Sequence, residues 1–229
     1  MNLSKRLFAV AKEVPPNSKI ADIGTDHAYL PIYLFKNKRI KKAIASDINK
    51  GPLEKANNNI IKNNADAIIE TRLGNGLEVL KENEVDTIIL AGMGGMLIID
   101  ILKKRPDILK SIKRLILQAQ LDQKELRKYL HSINYKIINE QLVYEENKYY
   151  WIITSEAGKE KYEKEIFYLY GKILIEKKDP LLKQYIKEEI NKLNNLLRLL
   201  NESLTNHAIK RKKEIEKDIK LCGEVLKWL

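Results

Sequence analysis

The stretch "IADIGTDHAYLP", Ile20 to Pro31, decides how this chain is read. A hydrophobic run ends in Asp22-Ile23-Gly24, a polar turn follows, and a helical pattern begins. That order is strand, turn, helix, the opening of a nucleotide-binding crossover. A dinucleotide fingerprint would carry second and third glycines in the turn. Asp26 and Ala28 stand in their place.

Outward from this stretch, short β-branched runs alternate with helical spacing. The predicted strands are Lys19–Ile23, Lys41–Asp47, Ala67–Leu73, Val85–Leu90 and Leu115–Gln118; the helices between them include Ala28–Lys36, Pro52–Asn63, Met96–Lys104 and Asp122–Ser132. Alternation of this kind builds a parallel sheet with helices on both faces. Tyr135–Tyr144 and Lys148–Ser155, separated only by Glu145-Glu146-Asn147, form a hairpin-like antiparallel pair that closes the sheet. Before the sheet, Leu3, Leu7, Val10 and Val14 mark an amphipathic first helix rather than a targeting peptide.

Beyond Glu156-Ala157-Gly158 the strand signal stops. Ile186, Ile190, Leu193, Leu197, Leu200 and Leu204, then Ile215, Ile219, Cys222, Leu226 and Leu229, repeat at alternating spacings of four and three. These are the apolar stripes of two helices packed as an antiparallel pair, with a bend at Ser203 to Asn206. Asp179-Pro180 marks a helix start, and a third helix is expected near Lys161–Glu176. The domains are therefore expected at 1–156 and 157–229.

The 229 residues carry 44% hydrophobic content, enough for a substantial core, and no apolar run reaches the ~18 residues a membrane span needs. The single cysteine, Cys222, excludes an intrachain disulfide and a multi-cysteine metal site, and fits a reducing, cytoplasmic home. Three scattered histidines give no metal site. The formal net charge of +11 points to an acidic partner, nucleic acid above all, although the excess is spread over both parts of the chain. Lys210-Arg211-Lys212-Lys213 is a local cluster that reads either as a solvated helix face or as a phosphate clamp.

In an open parallel sheet, ligands sit at the carboxyl ends of the strands. Four segments converge there: Asp22 to His27, Ser46-Asp47-Ile48, Gly74-Asn75-Gly76 and Ala91-Gly92-Met93-Gly94-Gly95. A carboxylate ending the second strand, Asp47, suits ribose hydroxyls. Gly24 lets backbone pass close to a ligand. A pyrophosphate wants a glycine-lined turn free of anions, whereas Asp22 and Asp26 crowd this one with negative charge. An ammonium- and sulfonium-bearing ligand fits better. S-adenosyl-L-methionine is the expected cofactor, with ribose on Asp47, adenine near Asn75 and Ile48, and the amino-acid end near Asp22 and Gly24. The fourth segment carries no side-chain acceptor for an exocyclic amine. It suits a ring nitrogen, which needs positioning and a dry site rather than a general base.

"DIGTDHAYLP", "ASDINKGPLEKA", "RLGNGLEVL" and "DTIILAGMGG", in this order and spacing, resemble the bacterial tRNA (adenine(22)-N(1))-methyltransferases, the TrmK family. The resemblance extends over nearly the whole chain. It implies a class I methyltransferase (Rossmann-like) α/β domain followed by a C-terminal helical coiled coil, S-adenosyl-L-methionine as donor, and adenine N1 in the D-arm region of tRNA as acceptor. It also implies cofactor contacts on Asp22, Gly24, Asp47, Ile48, Asn75, Gly76 and Gly92, with Gly74 and Ala91 of the same segments as further candidates, and implies that Asp26, His27, Tyr29, Met93 and Gly94 face the target base.

Each of these residues has a plainer alternative. His27 either serves the base or stabilises the loop. Tyr29 stacks on adenine or packs on the first helix. Asp26 bonds the adenine amino group or caps the next helix. Lys5 and Arg6, with Lys210 to Lys213, are candidate RNA contacts, or ordinary exposed charges. His131 and His207 read as surface residues, and Tyr149, Tyr150 and Trp151 as sheet core. Methylation of another substrate and a non-catalytic RNA- or partner-binding role are the competing functions; a nicotinamide dehydrogenase is disfavoured by the broken fingerprint. A monomer without membrane or metal partners is expected.

Overall fold

The structure is a computed structural model that describes residues 3–200 and 205–229. It divides into two compact units, Met1–Lys161 and Tyr162–Leu229. In the first, the elements in chain order are α1 (Lys5–Glu13), β1 (Ser18–Ile23), α2 (Tyr29–Lys36), β2 (Ile40–Asp47), α3 (Lys50–Lys62) and β3 (Ile69–Leu73). A short 3-10 turn (Gly76–Val79) precedes β4 (Thr87–Met93), α4 (Gly95–Lys104), α5 (Pro106–Leu109), β5 (Arg114–Ala119), α6 (Gln123–Ser132), β6 (Tyr135–Glu145) and β7 (Lys148–Ala157).

The seven strands lie in the order β3-β2-β1-β4-β5-β7-β6. The first five run parallel, β7 is antiparallel to β5, and β6 is antiparallel to β7. Strand β1 is buried except at Lys19, as a central strand covered on both faces must be. The chain reverses its direction of winding between β1 and β4, which opens a crevice beyond their carboxyl ends.

Helix α1 covers one face of the sheet. Its Ala9, Val10 and Ala11 are buried in a core with Ile20, Ile89, Ile116 and Ile152 from four strands. Both its ends are fastened to the closing hairpin. Glu145 accepts from the backbone N–H of Lys5 (2.7 Å) and Arg6 (3.2 Å) in the first turn. At the other end the Glu13 carboxylate accepts from Asn139, Gln141 and Thr154. An anion over the first turn satisfies N–H groups that the helix leaves without partners.

The second unit is helical: α7 (Glu165–Tyr170), α8 (Lys172–Glu176), α9 (Pro180–Leu200) and α10 (Asn206–Leu226). The single helix expected near Lys161–Glu176 is instead two, because Gly171 adopts φ +85° between them. Asp179 Oδ1 accepts from Leu182 N at 3.0 Å and starts α9; Thr205 Oγ1 caps α10 by accepting from Ala208 N at 3.2 Å. Helices α9 and α10 run antiparallel, since Lys183 near the start of one donates to the Leu229 carbonyl at the end of the other. Ile186, Leu193, Ile215 and Cys222 of the stripes are buried, while Val225 takes the buried place expected of Leu226. Ser203 and Leu204 lie outside the described residues.

Two further expectations are corrected. The His131 side chain is only 5% exposed and lies 3.2 Å from Glu160, so it is an interior group, not a surface one. Of the aromatic trio, Trp151 is buried beneath the Arg127 guanidinium, but Tyr149 and Tyr150 remain half-buried towards the hairpin tip. Among the described residues no helix is long and apolar enough to cross a membrane.

Candidate active site

The loop after β1 is tied to the neighbouring strand before it turns. Gly24 N and Thr25 N both donate to the Ser46 carbonyl, at 2.8 and 2.9 Å. Gly24 has φ +78°, and a Cβ there would lie 2.3 Å from Met93 Cε. The room that glycine leaves is therefore filled by Met93. Asp26 and Ala28 also adopt left-handed backbone, with φ of 50° and 56°. Such residues cost energy outside glycine and mark a loop held by its surroundings. One tether is explicit: Asn59 Nδ2 donates to the His27 carbonyl at 3.1 Å.

Asp22 is buried, and its Oδ2 accepts from Thr25 Oγ1 at 2.6 Å. Burial pushes its carboxyl up from 3.8 to about 6, against the pull of the Thr25 hydroxyl. Asp26 does not cap α2, whose N-cap residue is Ala28 without a side-chain bond. Its carboxylate stands 3.6 Å from His27 Nε2 and is 73% exposed. The Tyr29 ring lies over His27 with centroids 5.1 Å apart and planes 19° apart, and it lines one cavity with Arg6 and Leu7 of α1. The α1 ring Phe8 meets Tyr33 instead.

These residues share a cavity of about 280 Å³ with Arg6, Ala91, Gly92 and Gln120. Asp47, Ile48, Gly74, Asn75 and Gly76 lie outside it, on the adjoining ends of β2 and β3. There Asp47 Oδ1 accepts from Asn49 N at 2.8 Å, and Gly74 N donates to the Asp47 carbonyl at 3.0 Å. Gly76 has φ +58° and packs on Ile101. Gly94 is the N-cap residue of α4, and the next residue, Gly95, sits against the Leu121 and Asp122 carbonyls, where a Cβ would meet both at 2.7 Å. Among the described residues, no group of three or more His, Cys, Asp and Glu is placed to hold a metal ion.

The basic candidates separate. Lys5 is exposed, and its recorded bond is through its backbone to Glu145. Arg6 is half-buried and turned into the cavity, which a charge expected to roam in solvent would not be. In the second unit, Lys210, Arg211 and Lys213 are exposed on α10, and Arg211 pairs with Glu214.

The tRNA (adenine(22)-N(1))-methyltransferase family model matches residues 20–224. The chain belongs to that family. The tRNA (adenine(22)-N(1))-methyltransferase of Bacillus subtilis (strain 168) is 34% identical over 236 residues, covering 99% of this chain and 98% of that protein. The structure of M. capricolum TrmK in complex with S-adenosyl-homocysteine is 35% identical, with a TM-score of 0.87 over 99% of this chain and 98% of that one. A Streptococcus pneumoniae protein in complex with S-adenosyl-L-methionine is 33% identical, with a TM-score of 0.90 over 98% and 100% of the two chains.

In this member of the TrmK family, sequence reasoning placed Thr25 in the converging segment without a role, and passed over Gln120 and Gln118, whose Oε1 accepts from Arg6 and Gly92 of the cavity lining. Thr25 carried a local signal, three residues after Asp22 on a tight turn. Gln118 carried one too, as a polar residue ending a run of apolar strand positions. Gln120 carried none.

Proposed function

We infer that this protein transfers a methyl group from S-adenosyl-L-methionine to N1 of adenine 22 in tRNA. The observation that carries the reading is the gathering of Asp22, Gly24, Asp26, His27, Tyr29 and Gly92 around one cavity beyond β1 and β4, in a chain of this family. The cofactor supplies the methyl group on a sulfonium. The residues present fit it: a buried carboxyl, Asp22, stands ready for an ammonium, and Asp47 Oδ2, whose partner oxygen already holds Asn49 N, is left to accept from a ribose hydroxyl. The cavity of about 280 Å³ encloses one end of such a ligand. Ile48, Gly74 and Asn75 border the remainder along β2 and β3.

The chain's own part is binding, orientation and exclusion of water. Adenine N1 has a lone pair and no proton to lose, so the site needs no base. The flat His27–Tyr29 stack offers a face for a base removed from its own stack. Asp26 places a negative charge where methylation at N1 leaves a positive one. Met93, packed on Gly24, closes the floor between cofactor and base.

Residues 1–156 act as the methyltransferase domain. Residues 157–229 serve as a helical coiled-coil domain whose Lys210 to Lys213 meet tRNA phosphates, as does Lys5, with Arg6 a further candidate for that role. The protein is read as acting as a monomer, and a tRNA substrate supports a cytoplasmic place of work. The test is to incubate purified protein with unmodified tRNA and S-adenosyl-L-methionine and map the product by mass spectrometry. One 1-methyladenosine at position 22 is expected. Cofactor binding without methylation at that position would overturn the reading.

A further inference from the structure

Gln118, near the end of β5, is fully buried, and its side chain does not serve the core. Its Oε1 accepts from Arg6 Nη1 at 2.8 Å and from Gly92 N at 3.0 Å. Its Nε2 is buried without an acceptor. A buried amide with an unmet donor is a cost that Leu or Met at the same place would avoid. What the amide supplies is a fixed position for two cavity-lining groups.

Three contacts hold Arg6. Its backbone is fastened by Glu145, its guanidinium lies 5.5 Å from the centre of the Tyr150 ring, and one nitrogen is taken by Gln118. Its remaining N–H groups have no acceptor among the described residues. Arg6 makes no salt bridge among those residues, yet it shares the cavity with Asp22, a buried group of opposite sign. A cation and a carboxyl facing one small space match a zwitterion. An anchored guanidinium with free N–H groups is a receptor for an oxyanion.

We infer that Arg6 is the oxyanion anchor of this cavity and that Gln118 is the positioning residue that aims it. The inference rests on the proposed function, which brings two oxyanions to the site: the carboxylate at the amino-acid end of the cofactor, and the phosphate of the nucleotide being methylated. Both are bound by the same forked N–H groups, and the experiment separates them.

Three variants are compared with the wild-type chain: Arg6→Ala, Gln118→Glu and Gln118→Leu. Glutamate keeps an acceptor for both Arg6 and Gly92 and removes the unmet donor. A purely structural role therefore leaves Gln118→Glu unharmed. As an anchor-aiming residue, Gln118→Glu neutralises the guanidinium and weakens anion binding as Arg6→Ala does. If the carboxylate is the ligand, calorimetry shows S-adenosyl-homocysteine affinity falling roughly ten- to hundredfold in Arg6→Ala and Gln118→Glu. Binding of 5′-methylthioadenosine, which lacks the amino-acid end, stays as in wild type. If the phosphate is the ligand, cofactor affinity holds, KM for tRNA rises, and the salt dependence of tRNA binding becomes shallower by about one phosphate contact.

Folded Arg6→Ala and Gln118→Glu proteins that match wild type in both arms overturn the inference. So does damage confined to Gln118→Leu, which would make the amide a mere tie for Gly92. A wild-type chain that binds no cofactor would count against the proposed function itself, not against this assignment alone.

Discussion

The β1–α2 loop and the basic cluster of α10 are both charged, and they use charge in opposite ways. In the loop, Asp22 is buried, bonded to Thr25 and pushed up to about 6. Asp22 has one place and one partner there. On α10, Lys210, Arg211 and Lys213 lie in solvent, and only their sum can matter, through the release of counterions from a polyanion. The loop should be intolerant of single changes, and the cluster tolerant of all but collective ones.

The comparison breaks hardest at Gly24. Gly24→Ala must place a methyl group at φ +78° and against Met93. The Met93 methyl end can move aside, so the left-handed backbone sets the expected cost at about 1–3 kcal/mol of stability, read by chemical denaturation, together with loss of cofactor binding by calorimetry. A variant as stable as wild type would show that the loop is less constrained than its backbone implies.

Asp22→Asn sharpens the contrast in the other direction. The folded pKa lies above the unfolded value of 3.8. Between about pH 4 and 6 the folded state therefore binds more protons than the unfolded one, so stability falls as pH rises through that window. The amide of the Asp22→Asn variant removes this penalty and can still accept from Thr25. The cofactor-free variant is expected to be more stable than wild type at pH 7.5, by up to about 3 kcal/mol, with little difference at pH 4. It should bind S-adenosyl-L-methionine more weakly. Equal melting profiles at both pH values would remove Asp22 as a strained ionised group.

The smallest effect belongs to α10. Replacing Lys210 to Lys213 with serine should raise the KM for tRNA severalfold and flatten its salt dependence, while cofactor affinity stays as in wild type. An unaltered salt slope would make the cluster a solvated face only.

What the sequence disclosed follows the same division between local and distant causes. The five parallel strands and the hairpin were legible because β-branched runs and intervening helical spacing are local patterns. The paired helices of the second unit were legible because their stripes repeat. Gly171 was not seen as a break, since a glycine within a helical pattern does not announce a left-handed conformation. At the site, the four glycine- and aspartate-bearing segments could be placed because each follows a strand. The orientation of Arg6 could not be, because Gln118 and Glu145 lie 112 and 139 positions away. The interior place of His131 depends likewise on Glu160, beyond the closing hairpin.

The fastening of α1 by the last two strands also orders events on the ribosome. The helix emerges ahead of the sheet, but Glu145, 140 positions beyond Lys5, leaves the exit tunnel on the order of ten seconds later at ordinary rates of translation. Until then α1 can lie on the early strands, but its first turn, which carries Arg6, lacks the fastening by Glu145. A truncated product that stops short of the hairpin is therefore expected to lack methyl-transfer competence, whatever else of the sheet has formed.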